Sequence, residues 1–309
     1  MHKHFGINYD PLRFKIWYSP CTQKSLLWTE EIKRSALLVS QSTDRDIWVC
    51  MSGGIDSEIV AHTFKELNIP FQAFIVKFSN NLNEHDIVHA IRWCKDNKIK
   101  YRIFDFDVIN FIKIDYKKYL THNLIVNNIF RYFSIELINE IENMNGFAVL
   151  GGKSVGLRLL QCNEDVNKFT QNSVHDCYDI GSLAPLEWCQ KNNLNHCVFF
   201  YQASSEIHQA YLNDPVNQML IHNPYMLRAT SINNCAKILM MRSHFPSATP
   251  RPKFHGFEKI TKMREETEIN IANYFGLDTN IVDKKYKNMF YNNQIVIPIN
   301  QVIKQLSNE

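Results

Sequence analysis

The sequence predicts an α/β protein: a parallel sheet with helices on both faces and a mainly helical C-terminal extension. Two observations predict it. Strand-like apolar runs alternate with amphipathic helical segments from residue 47 to residue 150, and glycine pairs follow two of those strands. Right-handed crossovers between such strands leave few other arrangements.

Ile47-Trp48-Val49-Cys50-Met51 is the first core strand. Ser57 to Leu67 then reads as a helix with Val60, Phe64 and Leu67 on one face. Pro70 closes that link, and Phe71 to Phe78, dense in aromatic and β-branched residues, reads as the second strand. Asn83 can cap the next helix, with Asp86 in its first turn. Ile87, Ala90, Ile91 and Cys94 give that helix a buried face, and Tyr101 to Val108 is the third strand. Ile129, Phe133, Leu137 and Ile141 recur every four residues along a long helix. Phe147 to Leu150 is a short fourth strand ending in Gly151-Gly152-Lys153-Ser154.

Beyond it the pattern weakens. Asp179 to Ser182 and Ala184-Pro185 are turn signals, and Cys197–Tyr201 reads as a further strand. Helices are expected over Ser204–Leu212, Ser231–Met241 and Lys262–Phe275. Pro215 ends the first and Gly276 the last. Residues 281–309 hold a short hairpin or strand and a last helix. The 46 residues before the core, with Phe14, Trp17, Tyr18 and Trp28, form a small hairpin or pack over the sheet. The expected organisation is therefore an extension over 1–46, an α/β domain over 47–203 and a mainly helical substrate or lid region over 204–309.

A chain of 309 residues, 45% hydrophobic and 21% charged, is that of a folded globular protein. Its formal charge of +3 is too small to argue by itself for nucleic acid. No stretch approaches the roughly 20 apolar residues of a membrane span. The N-terminal residues lack an apolar signal core, so a cytoplasmic location is expected. Eight scattered cysteines suit reduced, buried thiols better than a disulfide framework.

The chemistry concentrates at Ser52-Gly53-Gly54-Ile55-Asp56-Ser57. Two glycines let the chain turn tightly and bring N–H groups up to an oxyanion, and the following helix adds the positive end of its dipole. The segment lacks the spacing and lysine of a Walker A loop. Ser52 and Ser57 can donate hydrogen bonds to phosphate oxygens. Asp56 would repel phosphate unless it held a divalent cation or oriented the turn. Such a pocket suits a pyrophosphate accompanied by magnesium.

The six residues, following a hydrophobic strand, resemble the SGGxDS loop of the N-type ATP pyrophosphatases (the PP-loop superfamily). That superfamily includes asparagine synthetase, NAD synthetase, GMP synthetase, tRNA-modifying enzymes, 7-cyano-7-deazaguanine synthase and, with a related loop, PAPS reductase. The resemblance covers residues 47–154. It implies a Rossmann-like (HUP-type) fold, binding of ATP with Mg2+, cleavage between the α- and β-phosphates, and an adenylated intermediate. Ser52, Gly53, Gly54 and Ser57 would hold pyrophosphate, and Asp56 would serve magnesium and loop geometry. The family's terminal cysteine motifs and its glutaminase domain have no counterpart in this sequence.

Further candidates rest on chemistry alone. Gly151 and Gly152 allow close approach to a ligand, and Lys153 could neutralise phosphate charge; a tight strand exit with a solvated lysine explains them equally well. Glu164 and Asp165 are the exception: the resemblance implies that they could supply the acidic residue the family often keeps beyond this turn. Lys77 could sit near adenine or ribose, as could Asp105 and Asp107, for which capping or solvation stands as the alternative. In Arg251-Pro252-Lys253-Phe254-His255, prolines stiffen a basic segment whose Lys253 could close over phosphates, the alternative being an exposed linker. His175, Cys177, Cys189, His196 and Cys197 could gather zinc, and Cys162 or Cys177 could carry sulfur, but lone buried thiols explain them more simply.

The sequence thus leads to an ATP-dependent ligase or amidotransferase-like enzyme with Asp56, Lys153 and Lys253 in catalytic roles. A small-molecule acceptor is expected, attacked by ammonia or an amine. Modification of a tRNA or DNA base and non-catalytic nucleotide binding are the alternatives. No membrane association is expected, and a homodimer is the base-rate expectation.

Overall fold

The computed structural model describes residues 3–10, 15–126, 128–152, 157–159, 174–179, 181–224, 241–248, 256–276 and 294–307. Strands β1 (Ile7–Asp10) and β2 (Lys15–Tyr18) form an antiparallel hairpin, followed by helix α1 (Trp28–Gln41). Then come β3 (Ile47–Cys50), α2 (Ile55–Glu66), β4 (Gln72–Phe78), α3 (Glu84–Asp96), β5 (Tyr101–Phe106), a helix over Phe130–Asn143 and β6 (Phe147–Val149). The expected order of strands and covering helices is present from β3 to β6, with helical segments Val108–Asn110, Phe111–Asp115 and Lys117–Leu120 after β5 that have no counterpart in the sequence reading. The hairpin was one of two expectations for the N-terminal residues; helix α1 has no counterpart in the sequence reading.

The four core strands pair in parallel in the order β5-β4-β3-β6. Val49 sits between Ala73 on one side and Val149 on the other, and Phe78 closes the β4–β5 ladder opposite Phe106. The chain moves outward from β3 to β5 and then crosses back to place β6 on the other side of β3. The strand order therefore reverses between β3 and β6, and a crevice for ligands opens beyond the carboxyl ends at such a point.

Alternation decides which helix covers which face. Trp48, Phe74 and Ala148, neighbours across three strands, pack with Leu137 and Ile141 of the helix Phe130–Asn143. Val49, Ala73 and Ile75 point the other way, into a core shared with Ile59, Val60, Phe64, Ile87 and Cys94 from α2 and α3. That core continues into both ends of the chain, taking in Trp28 and Ile32 of α1 and Val302 of the last helix.

Two expectations change in detail. Asn83 stands at the N-terminus of α3, but its side chain does not cap it. β3 is too short to pair the far end of β4, so the Asn83 amide does this instead. It accepts from the Phe78 N–H at 2.9 Å and donates to the Val76 carbonyl at 2.9 Å. Cys197–Tyr201 is not a full strand: a single parallel bridge joins Cys197 to Val149, and Phe200–Gln202 turns into a short 3-10 helix. Its backbone still follows β6, with Phe200 N–H donating to the Leu150 carbonyl at 3.0 Å.

A second sheet is antiparallel, β7 (Leu157–Leu159), β8 (Val174–Asp179) and β9 (Gln294–Pro298), with β8 in the middle. The sequence reading has no β7 or β8. Asp176, where strand alternation asks for an apolar residue, is 1% exposed; it accepts a hydrogen bond from the Tyr18 hydroxyl, and His208 Nε2 lies 3.6 Å from it. Helices Ser205–Asn213, Pro215–His222, Thr261–Tyr274 and Ile299–Ser307 make up most of the described C-terminal part. Pro215 does end the first of these, and it opens the next one at its first position, with the Asp214 carboxylate accepting from the Val216 N–H at 3.0 Å. The helix expected over Ser231–Met241 lies outside the described residues apart from its last residue.

Candidate functional site

β3 keeps its pairing one residue past Cys50, through the Met51 N–H to the Phe74 carbonyl at 2.9 Å, and then the chain turns. Gly53 has φ of +80°, and a Cβ there would lie 2.0 Å from the Asp86 carbonyl oxygen of α3. Both conformation and space demand glycine. Gly54, extended at φ −86° and ψ 158°, is the N-cap of α2, and a Cβ on it would meet nothing nearer than Ser52 Oγ at 3.4 Å. This glycine leaves open room above the helix terminus.

The two serines knit the turn. Ser57 Oγ donates to the Gly54 carbonyl at 3.0 Å and accepts from the Ser52 N–H at 3.2 Å. Ser52 Oγ lies 3.4 Å from Ser57 Oγ and accepts from the Gly54 N–H at 3.4 Å. Both bonds donated by loop amides are longer than the usual N–H···O distance of about 2.9–3.0 Å. Weak internal contacts of this kind are readily exchanged for the oxygens of an anion, which would also meet the dipole of α2.

Asp56 occupies the first turn of α2, where a carboxylate is favoured by the dipole, and its Oδ1 is buried. Its backbone carbonyl accepts a hydrogen bond from the Tyr201 hydroxyl at 2.7 Å. Tyr201 is 2% exposed and stacks on Trp28, ring centroids 6.1 Å apart at 14°. Burial, and then the charge of Asp56, push its phenol well above the ordinary range, so it stays a donor. The sequence reading missed Tyr201; the signal within reach was a tyrosine closing the apolar run that follows the fourth strand.

Because β3 and β6 are paired neighbours, the two glycine turns leave the sheet side by side. A Cβ on Gly151 would lie 3.7 Å from Asp56 Cβ and 3.6 Å from the Tyr201 ring. Gly152 has φ of +70° and presses on Phe199, whose Cα would be 2.8 Å from an added Cβ. The structure therefore brings Ser52, Gly53, Gly54, Asp56, Ser57, Gly151 and Gly152 to one place. Lys77 stands one strand away, half-buried near the carboxyl end of β4 and opposite Asp105 in register. Asp107 caps the short helical segment after β5, its Oδ1 accepting from the Asn110 N–H at 3.0 Å and the Ser79 hydroxyl at 3.2 Å.

Lys153, Lys253, Arg251, His255, Glu164, Asp165 and Cys162 lie outside the described residues. The chain leaving the 251–255 segment is fixed: Gly256, at φ +83°, abuts the Leu82 backbone, and the Phe257 ring lies 3.9 Å from Phe130 and 5.2 Å from Phe78.

Among the described residues, no group of three histidine, cysteine or acidic side chains is placed to hold a metal ion. His196 accepts from the Ala148 N–H on Nδ1 at 3.0 Å, and its Nε2 lies 2.9 Å from Glu142. Burial pushes the Cys189 and Cys197 thiols up to about 12. No described helix is long and apolar enough to cross a membrane.

No protein-family model and no curated relative matches the sequence. Among solved structures, the chain is similar to NMN synthetase from Francisella tularensis, at 13% identity and a TM-score of 0.35 over 78% of this chain and 94% of that one. It is also similar to NH3-dependent NAD synthetase from Campylobacter jejuni in complex with the nitrate ion, at 15% identity and a TM-score of 0.32 over 74% of this chain and all of that one. Likeness at this level carries no weight for function.

Proposed function

We propose that the chain is an ATP-dependent, AMP-forming ligase or transferase acting on a small molecule. A substrate oxygen attacks the α-phosphorus, the bond to pyrophosphate breaks, and ammonia or an amine then displaces AMP from the adenylate. One observation carries the reading: a strand-to-helix turn with two convergent serines and an open glycine N-cap, abutted by a second glycine turn at the point where strand order reverses.

In this reading Ser52, Ser57 and the amides of Gly53 and Gly54 hold the leaving pyrophosphate, while Gly151 leaves room for the rest of the nucleotide. Lys77 serves adenine or ribose, and Lys153 and Lys253 offset charge on the transferring phosphoryl group. The donor set fits magnesium, which takes one or two carboxylates with phosphate and water: Asp56 offers a carboxylate, and the serines offer hard oxygens beside it. When bound, the ion would offset phosphate charge. Tyr201 holds the first turn of α2 in register through the Asp56 carbonyl.

Pyrophosphate release from magnesium-ATP, measured across panels of small acids, amines and RNA, tests the proposal. Turnover with a small acid or carbonyl compound and an amine donor is expected. Turnover only with RNA would assign the chain to base modification, and ATP binding without turnover would make it a nucleotide-binding module.

A further inference from the structure

A cavity of about 600 Å³ opens between the helical segments Phe111–Asp115 and Lys117–Leu120 after β5 and, opposite, the 3-10 turn Phe257–Ile260 with the helix Thr261–Tyr274. Lys113 and Lys117 stand on one wall and Lys259 and Lys262 on the other, with Glu266 the one carboxylate in the lining. Lys113, Lys117 and Lys262, gathered this way, repel one another unless counter-charge arrives from outside. Lys118 alongside is neutralised by Glu136 at 2.6 Å; Lys113, Lys117 and Lys262 have no such carboxylate among the described residues. The second wall also runs against its own dipole, since its first turn holds Lys262 and no acidic residue.

The floor beneath the lysines is fixed. Thr267 Oγ1 donates to the Ile112 carbonyl at 3.1 Å, so a buried polar contact ties one wall to the other. Ile112 and Tyr116 are buried. The lysine stems are exposed and long enough to converge on a common ligand.

We propose that this cavity binds a small phosphorylated molecule through Lys113, Lys117, Lys259 and Lys262. Ammonium groups meet phosphate as point charges from several sides, which suits four separate stems around one hollow. The volume is that of a small-ligand pocket. A single-stranded nucleic acid would need a groove with exposed aromatic faces, and Tyr116, the aromatic in this lining, is buried. No residue of the turn at 52–57 lines this cavity.

Calorimetric titration of the full chain with ribose 5-phosphate tests it, with a single-stranded RNA in parallel. Ribose 5-phosphate is expected to bind and to weaken with salt. The Lys113→Gln/Lys262→Gln variant should lose about tenfold or more in affinity, while Ser57→Ala binds as the unaltered chain does. No binding of ribose 5-phosphate, binding of RNA alone, or loss in Ser57→Ala but not in the lysine variant would each overturn the proposal. The last result would place the phosphate on the turn instead. Should the double variant not fold, the two single variants, each at an exposed position, carry the same comparison. Magnesium-ATP titrated into the same proteins is read separately, so failure here is distinguishable from failure of the ligase reading.

Discussion

The two glycine pairs divide their labour in the same way but in opposite order. At the end of β3 the first glycine is locked: Gly53 has positive φ and the Asp86 carbonyl behind it, while Gly54 faces open space. At the end of β6 the second is locked: Gly152 has positive φ and Phe199 behind it, while a Cβ on Gly151 would make ordinary contacts with Asp56 and Tyr201. In each turn one glycine builds the fold and the other keeps a volume clear. The difference lies in what surrounds the clear volume. Beside Gly54 stand two hydroxyls and a helix terminus; beside Gly151 stand Asp56 and the ring that holds it.

Asp56→Ala gives the largest effect expected from this division. Turnover should fall on the order of a hundredfold or more with the melting temperature nearly unchanged, measured by pyrophosphate release and thermal unfolding. Kinetics equal to the unaltered chain would remove Asp56 from its assigned role. Next come Gly53→Ala and Gly152→Ala, each expected to cost on the order of 3 kcal/mol in stability from backbone strain and overlap. Gly151→Ala should cost less than about 1 kcal/mol in stability and weaken ATP binding about tenfold instead. Equal stability losses at 151 and 152 in denaturant titrations would erase the distinction. The smallest effect is that of Tyr201→Phe, which removes one hydrogen bond and leaves the ring stack. A loss of about 1 kcal/mol in stability is expected, with turnover down several-fold and the KM for ATP little moved. An unchanged turnover would make Tyr201 a packing residue alone.

The parallel sheet was legible because its signals are local. Runs such as Ile47–Cys50 and Gln72–Phe78 are apolar on both faces, and Ile87, Ala90 and Cys94 keep helical spacing. The turn at 52–57 was legible for the same reason, being six consecutive residues between a strand and a helix. The antiparallel sheet was not. In β8, buried Asp176 interrupts the alternation, and its partners Tyr18 and His208 come from remote parts of the sequence. The role of Asn83 was hidden similarly: its sequence setting asks for a helix cap, but the unpaired end of β4 competes for the same amide and wins. Helix α1 was missed although Trp28, Ile32, Ala36 and Val39 line its buried side, because the polar residues around them masked the spacing.

The middle position of β8 carries a consequence for biosynthesis. Its partner β9 lies far downstream of it in the sequence, so a nascent chain holds β8 beside β7 with the other edge open until β9 has been made. During that interval the edge is exposed to strands of neighbouring polypeptides, which makes it a period of aggregation risk.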